Sequence, residues 1–292
     1  MTPCILAATD LSAPSRHAVD RAYRLAAERG WPLTLAHAIA PGLFDELQAM
    51  LGGDAPSIAD AVTAGACARL AGLNQDLRRT HGVVARCEVL SGVPVTALAS
   101  HAEAIGAGLL VLGARGEDFL RQLMLGSTAS RLLRKTRRPV LVVKQPPHES
   151  YQRALVAIDF SPASLAALRL VRHLAPGATL VLLHAVELPF EGKMQYANVD
   201  DEIIRRYRQE AQQEAVRKLR ELAAGEQLPL PATRLLALPG KPARLLLEHE
   251  QEEDCDLIVV GKHGVNVVEE LLLGSTTKHV LGEAQGDVLV SV

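Results

Sequence analysis

Short runs of aliphatic residues alternate along the chain with longer segments in which apolar residues recur every three or four positions. The continuous runs are typical of strands buried on both faces of a parallel sheet, and the periodic segments are typical of helices packed on such a sheet. The predicted strands of the first half are Cys4–Thr9, Leu33–Ile39, Val83–Leu90, Leu109–Leu112 and Val140–Val143. Four helices are predicted in the first half. The first begins after Ser12, the second runs from about Ile58 to Thr80, and the others are Pro94–Ile105 and Ser127–Lys135. The predicted strands of the second half are Ala154–Ile158, Thr179–Val186, Thr233–Leu238, Leu257–Val260 and Val288–Val290.

The second half of the chain repeats the first. The segments "LMLGSTASRLL" (123–133) and "LLLGSTTKHVL" (271–281) match at an offset of 148 residues, and "GARG" and "GKHG" match at the same offset. Asp10 and Asp159, which follow the first predicted strand of each copy, are 149 residues apart. We therefore expect one domain over residues 1–144, a linker over residues 145–152, and a second domain over residues 153–292.

The order of elements within each copy predicts the fold class. Strictly alternating strands and helices form parallel sheets with right-handed crossovers, so each copy is expected to be an α/β domain with a five-stranded, doubly wound parallel sheet. Ligands of such sheets bind beyond the carboxyl ends of the strands, where the strand order reverses. The sequence thus predicts where a binding site would lie before it predicts the ligand.

The composition excludes several function classes. A net charge of −2 and an aromatic content of 3% disfavour nucleic-acid partners. The 292 residues contain no apolar stretch near the roughly 20 residues that a membrane helix requires, and the first residues do not resemble a signal peptide. The four cysteines form no CxxC pair, which favours a reducing compartment. We therefore expect a cytoplasmic protein without a membrane partner.

Both copies carry the pattern G-x2-G-x9-G-[ST] after the fourth predicted strand. The glycines are Gly113, Gly116 and Gly126 in the first copy, and Gly261, Gly264 and Gly274 in the second. Glycines after a strand allow positive φ and close approach of a ligand, and a Gly-Ser at a helix start presents free N–H groups to an anion. The pattern is also compatible with a tight turn and a serine cap without any ligand. Its repetition at identical spacing favours a phosphate-binding site.

These motifs and the repeated order of strands resemble the universal stress protein family in its tandem form, over nearly the whole chain. The resemblance implies two Rossmann-like, adenine nucleotide alpha hydrolase-like domains of the ATP-binding branch. It implies contacts to adenosine by Asp10, Ala38, Leu112, Asp159, Ala185 and Val260. It implies contacts to ribose and phosphates by Gly113, Gly116, Gly126, Ser127 and Thr128, and by Gly261, Gly264, Gly274, Ser275 and Thr276. Mg²⁺ would accompany the phosphates of ATP, ADP or AMP.

The copies differ at some positions near these motifs. Asp256 stands where the first copy has Gly108, and Gly286-Asp287 stands where the first copy has Arg138-Pro139. Arg115, Lys262 and His263, next to the motif glycines, either neutralise phosphate charge or are solvated loop residues. His37 and His184, in the second strands, fit structural roles better than catalytic ones.

The sequence favours a nucleotide-dependent stress-response sensor or adaptor that acts through an unidentified protein partner. It contains no Walker-type phosphate loop, no dinucleotide or zinc-protease motif, and no residue placed as a general base, so at most slow ATP hydrolysis is expected. A true ATPase or nucleotidyl transferase is one alternative, and a nucleotide-free interaction or small-ligand module is another. The two copies are expected to pack as an internal pseudo-dimer, with the fifth strands as candidate pairing edges and further homodimerisation left open.

Overall fold

A computed structural model describes residues 3–42, 50, 55–114, 125–188, 191–197, 199–262 and 273–292 of the chain. The elements of the first half are β1 (Cys4–Ala8), α1 (Ala13–Arg29), β2 (Leu33–Ile39), α2 (Ala55–His81), β3 (Arg86–Ser91), α3 (Pro94–Ala104), β4 (Ala107–Gly113), α4 (Ser127–Lys135) and β5 (Val140–Val143). Those of the second half are β6 (Arg153–Ala157), α5 (Pro162–Leu174), β7 (Thr179–Val186), α6 (Glu191–Tyr196), α7 (Asp201–Gly225), β8 (Thr233–Pro239), α8 (Pro242–Glu252), β9 (Leu257–Gly261), α9 (Ser275–Glu283) and β10 (Asp287–Ser291). A short 3-10 helix, Leu230–Ala232, precedes β8.

The strands form one ten-stranded sheet in the order β3-β2-β1-β4-β5-β10-β9-β6-β7-β8. Every neighbouring pair is parallel except β5 and β10, which run antiparallel. Each half therefore has the five-stranded, doubly wound arrangement that the alternation of elements predicted. The fifth strands, which the sequence suggested as pairing edges, are the ones that meet, with Leu141 opposite Leu289.

Helices cover both faces of the sheet, and an apolar cluster lies under each layer. One cluster includes side chains of α1, α2, α5 and α7, and the other includes side chains of α3, α4, α8 and α9. Both clusters contain residues from both halves, for example Leu141 with Leu289 on one face and Val142 with Val288 on the other. Their aliphatic composition agrees with the scarcity of aromatic residues in the chain. The apolar core is thus continuous across the boundary between the halves.

One predicted strand begins later than expected. The sequence predicted a strand from Val83, whereas β3 begins at Arg86. The side chain of Asn74 accounts for the difference: its Nδ2 donates to Ala85 O over 2.9 Å and its Oδ1 accepts from Ala85 N over 3.2 Å. An amide side chain on α2 thereby takes the backbone groups that a sheet partner would otherwise use.

The differences between the copies near the motifs have structural explanations. Asp256 accepts hydrogen bonds from the backbone N–H groups of Gln152 and Arg153, at 2.7 and 3.1 Å, and so holds the start of β6. In the first half a side chain at Gly108 would meet the Pro3 ring, because an added Cβ would lie 2.5 Å from Pro3 Cβ.

Among the described residues, no helix is long and apolar enough to cross a membrane.

Candidate functional site

The candidate sites lie at the carboxyl ends of the central strands, where β1 neighbours β4 in the first half and β6 neighbours β9 in the second. The helices that follow these strands leave on opposite faces of the sheet: α1 and α5 contribute to one apolar cluster, and α4 and α9 to the other. A crevice between diverging loops is the usual ligand position in such sheets. The described residues among those that the resemblance assigned to a nucleotide lie along this edge in both halves.

Asp10 and Asp159 form matching turns after β1 and β6. Asp10 Oδ1 accepts from Ser12 N over 2.9 Å and from its hydroxyl over 2.5 Å, and Asp159 Oδ1 accepts from Ser161 N and Oγ over 3.0 and 2.5 Å. The intervening residue is in the left-handed region in both turns, with φ of 64° at Leu11 and 62° at Phe160. Non-glycine residues rarely adopt this conformation, so the turn is well determined by its surroundings.

The two serines of these turns also begin the helices that follow. Ser12 and Ser161 are the N-caps of α1 and α5, and their hydroxyls accept from the backbone N–H of Ser15 and Ser164. A serine cap satisfies an N–H group that has no partner within the helix. Each aspartate is therefore fixed by a turn and a cap, and it is held at the candidate binding edge.

The histidines of β2 and β7 have structural partners. His37 Nδ1 lies 2.9 Å from Thr9 O, and His184 Nδ1 lies 2.7 Å from Ile158 O. Because a carbonyl oxygen only accepts, Nδ1 carries the proton in both rings. His184 also packs against Phe160, with ring centroids 4.6 Å apart. These contacts support the structural role that the sequence favoured over a catalytic one.

The other residues expected near a nucleoside sit in or beside the sheet. Ala38 and Ala185 are half-buried near the ends of β2 and β7, opposite Leu90 and Leu238 in the neighbouring strands. Leu112 and Val260 are buried at the ends of β4 and β9. Their side chains pack within the apolar core, so their placement supports a role in shaping the floor of the crevice.

The described parts of the glycine motif are arranged alike in both halves. Gly126 N donates to Ala114 O over 2.8 Å, and Gly274 N donates to Lys262 O over 3.1 Å. Each bond closes the motif segment at its base, with Gly113 and Gly261 ending the preceding strands. The remaining motif residues, Arg115, Gly116, His263 and Gly264, lie outside the described residues.

The described glycines of the motif do not adopt positive φ. Gly126 and Gly274 have φ of −57° and −56°, and neither Gly113 nor Gly261 is among the glycines with positive φ. The expectation of positive φ is therefore wrong for these four positions. An added Cβ at Gly274 would make only ordinary contacts, the nearest to Lys262 O at 3.5 Å. What glycine supplies here is a bare backbone next to the helix start.

Gly126 and Gly274 are the N-cap residues of α4 and α9, and no side chain among the described residues caps either start by a hydrogen bond. The first helical residues, Ser127 and Ser275, are exposed, and Thr128 and Thr276 follow them. Free N–H groups at a helix start, flanked by hydroxyls, attract anions. The turn-and-cap alternative to a ligand site is thus weaker than at α1 and α5, where a serine does form the cap.

A cavity of about 640 Å³ lies between α8 and α9 in the second half. Its lining includes Lys241, Arg244, Leu247, Ser275, Thr276 and His279. A second cavity of about 550 Å³ lies at the ends of β7 and β8, and both cavities are lined by Lys241 and Pro242. Their combined lining runs from Val186, at the end of β7, to Ser275, at the start of α9. Volumes of this size suit a small-molecule ligand.

Two cationic residues that line the larger cavity, Lys241 and Arg244, have uncharged counterparts in the first copy. At an offset of 148 residues, Lys241 corresponds to Val93 and Arg244 corresponds to Thr96. In the first half, Thr96 instead accepts a hydrogen bond from Lys135 Nζ over 2.7 Å. Arg244 is paired with Glu248 over 2.6 Å, and among the described residues Lys241 is the cation that lines both cavities.

Lys262 is not placed to neutralise a phosphate at its own motif. Its side chain is buried, with 2% of the residue exposed, and Nζ donates to Thr136 O over 3.0 Å and to Arg134 O over 3.3 Å. Both interpretations made from the sequence, a phosphate contact and a solvated loop charge, are wrong for this residue. The lysine instead reaches the first half of the molecule.

A model of the universal stress protein family matches residues 1–144 and, a second time, residues 150–291. The chain belongs to the universal stress protein family. A universal stress protein of Mycolicibacterium smegmatis is 31% identical to it over 305 residues, covering 98% of this chain and 96% of the relative. One from Mycobacterium tuberculosis is 32% identical over 200 residues, covering 63% of this chain and 62% of the relative.

The fold of this universal stress protein agrees with that of a solved relative. The crystal structure of a universal stress protein from Archaeoglobus fulgidus superposes with a TM-score of 0.68, at 21% identity, covering 98% of this chain and 97% of that chain. The likeness confirms the tandem α/β architecture. The left-handed conformation of Leu11 and Phe160 and the cavity at Lys241 were not predicted from the sequence. The cavity depends on how α8 and α9 pack against each other.

Proposed function

We propose that this universal stress protein binds ATP, or a related adenine nucleotide, in one or both halves. The observation that carries the proposal is the start of α4 and of α9, where no described side chain caps the free N–H groups beside exposed Ser127 and Ser275. Among the described helices, α1 and α5 have serine caps, and α3 and α8 also begin without a side-chain cap. The starts of α4 and α9 differ from those of α3 and α8 by the sequence Gly-Ser-Thr, which adds two hydroxyls to the free N–H groups. Phosphate oxygens would supply the missing acceptors.

The second half supports the proposal further. The cavity between α8 and α9 offers the start of α9, Lys241 and His279 to the phosphates of a nucleotide. The adjoining cavity at the end of β7 gives the base an apolar wall at Val186 and Leu188. Both share Lys241, which is suited to bridge the sugar and phosphate ends of one ligand. We therefore propose that the second half binds the nucleotide more tightly than the first.

The proposed role is that of a sensor or adaptor in the stress response rather than a fast enzyme. Asp10 and Asp159 are the acidic residues of the candidate edge that the resemblance assigned to adenosine, and each accepts two hydrogen bonds from its neighbouring serine. A carboxylate so engaged is a poor general base for attack on a phosphate. Nucleotide-dependent conformation would be read by a protein partner in the cytoplasm.

Any Mg²⁺ in these sites would arrive with the phosphates. Among the described residues no group of three or more His, Cys, Asp or Glu side chains is arranged to hold a metal ion. The hydroxyls of Ser127, Thr128, Ser275 and Thr276 are the groups at the helix starts that would contact a phosphate-bound cation. Oxygen donors of this kind suit Mg²⁺.

The proposal is tested by counting nucleotide and then blocking each site. Mass spectrometry and ultraviolet absorbance of the denatured, freshly purified protein give the equivalents of adenine nucleotide per chain, and calorimetry with Mg-ATP gives the affinities. Ser127→Asp and Ser275→Asp place a negative charge at each helix start. We expect each to lower the affinity of its own half by more than about tenfold, through repulsion of the phosphates.

Controls separate the charge from other effects of substitution. Ser127→Ala and Ser275→Ala remove the hydroxyl without adding charge, and Gln213→Glu adds the same charge on the exposed face of α7. These variants should keep most of the affinity. Purified protein without nucleotide, together with no binding of Mg-ATP, would overturn the proposal and favour the nucleotide-free interaction module. Bound ADP alone, with metal-dependent turnover lost in Asp10→Ala or Asp159→Ala, would favour the enzyme.

A further inference from the structure

A lysine of the second half caps a helix of the first. Lys262 follows Gly261 at the end of β9, yet its ammonium donates to the carbonyl oxygens of Arg134 and Thr136. Arg134 is in the last turn of α4, and Thr136 is the C-cap residue of that helix. The helix held in this way is the one that begins at Gly126 in the first half's motif.

A lysine of the first half does the reverse. Lys144 follows β5, and its Nζ donates over 2.5 Å to the carbonyl oxygen of Ala284. Ala284 is the C-cap residue of α9, the helix that begins at Gly274 in the second half's motif. Each glycine-serine helix therefore has its N-terminus at the candidate site of its own half and its C-terminus against a lysine of the other half.

The two lysines do not correspond to each other in the duplication. At an offset of 148 residues, Lys262 matches Ala114 and Lys144 matches Val292. Neither copy of the ancestral domain supplies this contact from an equivalent position. Two unrelated positions have reached the same chemical arrangement, a cation at the carboxyl end of the helix that opens at the motif.

Each lysine is also close to the motif of its own half. Lys262 O accepts from Gly274 N, and Lys144 comes directly after Val143, whose carbonyl oxygen accepts from Ala114 N. A local role would thus make each lysine matter for its own half. The directions of the two side chains predict instead that each lysine affects the other half, because both ammonium groups lie against that half.

The physical effect of such a contact is to hold the helix end. The last carbonyl groups of a helix have no partner within it and carry the negative end of its dipole, so a cation there is favourable. For Lys262 the site is buried, and an uncompensated carbonyl would be left without a donor if the ammonium were removed. A nine-residue helix is only about 13 Å long, so a tilt at its C-terminus also moves its N–H groups at the other end.

We infer that Lys262 and Lys144 are cross-domain positioning residues: Lys262 sets the ligand affinity of the first half, and Lys144 sets that of the second. The inference rests on the proposed nucleotide sites for its functional readout. It means that each site is incomplete without the other half, because the helix that binds the phosphates is anchored by a side chain that its own half does not contain.

The test is a crossed pattern of affinities. Lys262→Met and Lys144→Met each remove the ammonium and keep an unbranched apolar side chain. Mg-ATP affinity of the first half is measured in the Ser275→Asp background, and that of the second half in the Ser127→Asp background. We expect Lys262→Met to weaken the first half, and Lys144→Met the second, by at least about fivefold, with the other half changing by less than about twofold.

Three results would overturn the inference. These are a direct pattern, in which each lysine affects its own half; an equal loss in both halves; and no loss in either. Lys262→Arg, which keeps a cation, should restore part of the affinity. Arg220→Met, which removes one positive charge from the exposed surface of α7, is the control and should change neither half.

A second readout does not depend on nucleotide. Amide hydrogen exchange over α4 should be faster in Lys262→Met than in the parent, with α9 unchanged, and Lys144→Met should give the reverse. If the parent binds no nucleotide, the proposed function fails while this measurement still decides whether the lysines hold the helices. Unchanged exchange in both helices would refute the capping role even in a protein that binds ATP.

Discussion

The hydroxyl of Tyr151 donates a hydrogen bond to Asp287 Oδ2 over 2.6 Å, although the two residues are 136 positions apart. Both are buried where the halves join, and burial raises the pKa of each group above its ordinary value. Arg21, on α1, lies over the Tyr151 ring at 4.1 Å and has its Nε 3.4 Å from Asp287. The backbone N–H of Lys144 also donates to Asp287. A helix, the segment between β5 and β6, and the last strand thus meet at one carboxylate.

Tyr151→Phe should destabilise the protein. The substitution keeps the ring and removes the donor to a buried carboxylate, so we expect a loss of about 1–3 kcal/mol in the free energy of unfolding. Asp287→Ala, which removes the buried carboxylate that faces the Arg21 guanidinium, should cost about 3–5 kcal/mol. Urea denaturation measures both. Tyr196→Phe, at a ring that is 92% exposed, is the matched control and should have no measurable effect.

Glycine-to-alanine substitutions at two nearby positions should have opposite signs. At Gly286 an added Cβ would lie 2.9 Å from Asp256 O, in the backbone, and 3.2 Å from a carboxylate oxygen of Glu250. We expect Gly286→Ala to lower the free energy of unfolding by about 1–3 kcal/mol. At Gly282, within α9, an added Cβ would meet nothing within 4 Å, so Gly282→Ala should raise it by about 0.5–1 kcal/mol. Equal effects in thermal or urea unfolding would contradict this explanation.

Exchanging one residue between the copies should change the affinity of both halves for Mg-ATP. Lys241→Val removes the cation at the junction of the two cavities and should weaken the second half about three- to tenfold. Val93→Lys introduces a cation at the matched position of the first half, where the valine is 61% exposed, and should strengthen binding there. Calorimetry on chains with the other site blocked measures each effect. A gain of affinity in Lys241→Val would exclude a phosphate contact by this lysine.

The stability of the protein should fall in alkaline solution partly because of Cys255. Burial raises the pKa of this thiol from 9.0 to about 12. The unfolded chain then loses the proton from about pH 9 while the folded protein keeps it, so stability decreases as the pH rises from 9 toward 12, by up to about 1.4 kcal/mol per pH unit. The slope of unfolding free energy against pH should be shallower in Cys255→Ala. Cys67→Ala, at an exposed thiol, should leave the slope unchanged.

The sequence predicted the sheet well because its signals are local. β2 and β7 have the predicted bounds, since continuous aliphatic runs flanked by polar residues depend little on distant partners. β3 starts late because Asn74, on another element, binds Ala85. That contact joins residues 11 positions apart and leaves no periodic trace in the sequence.

The candidate site was predictable only in part, for a similar reason. The spacing of Gly126 and Gly274 predicted where α4 and α9 begin, because glycine and serine mark helix starts. The target of Lys262 was not predictable, since its ammonium contacts residues 126 and 128 positions away in the other half. The position of Lys262 beside the motif glycines suggested either a phosphate contact or a solvated loop charge, whereas in the structure it contacts the end of α4.

The antiparallel contact of β5 with β10 also bears on how the molecule avoids aggregation. At the outer edges of the sheet, β3 carries Arg86 and Glu88, which pair with each other, and β8 carries Arg234. Charged edge strands resist pairing with other chains. β5 consists only of valine and leucine, and it is buried along its whole length. A half expressed alone would present this uncharged strand to solvent as a template for intermolecular sheet growth, whereas in the intact chain β10 pairs with it.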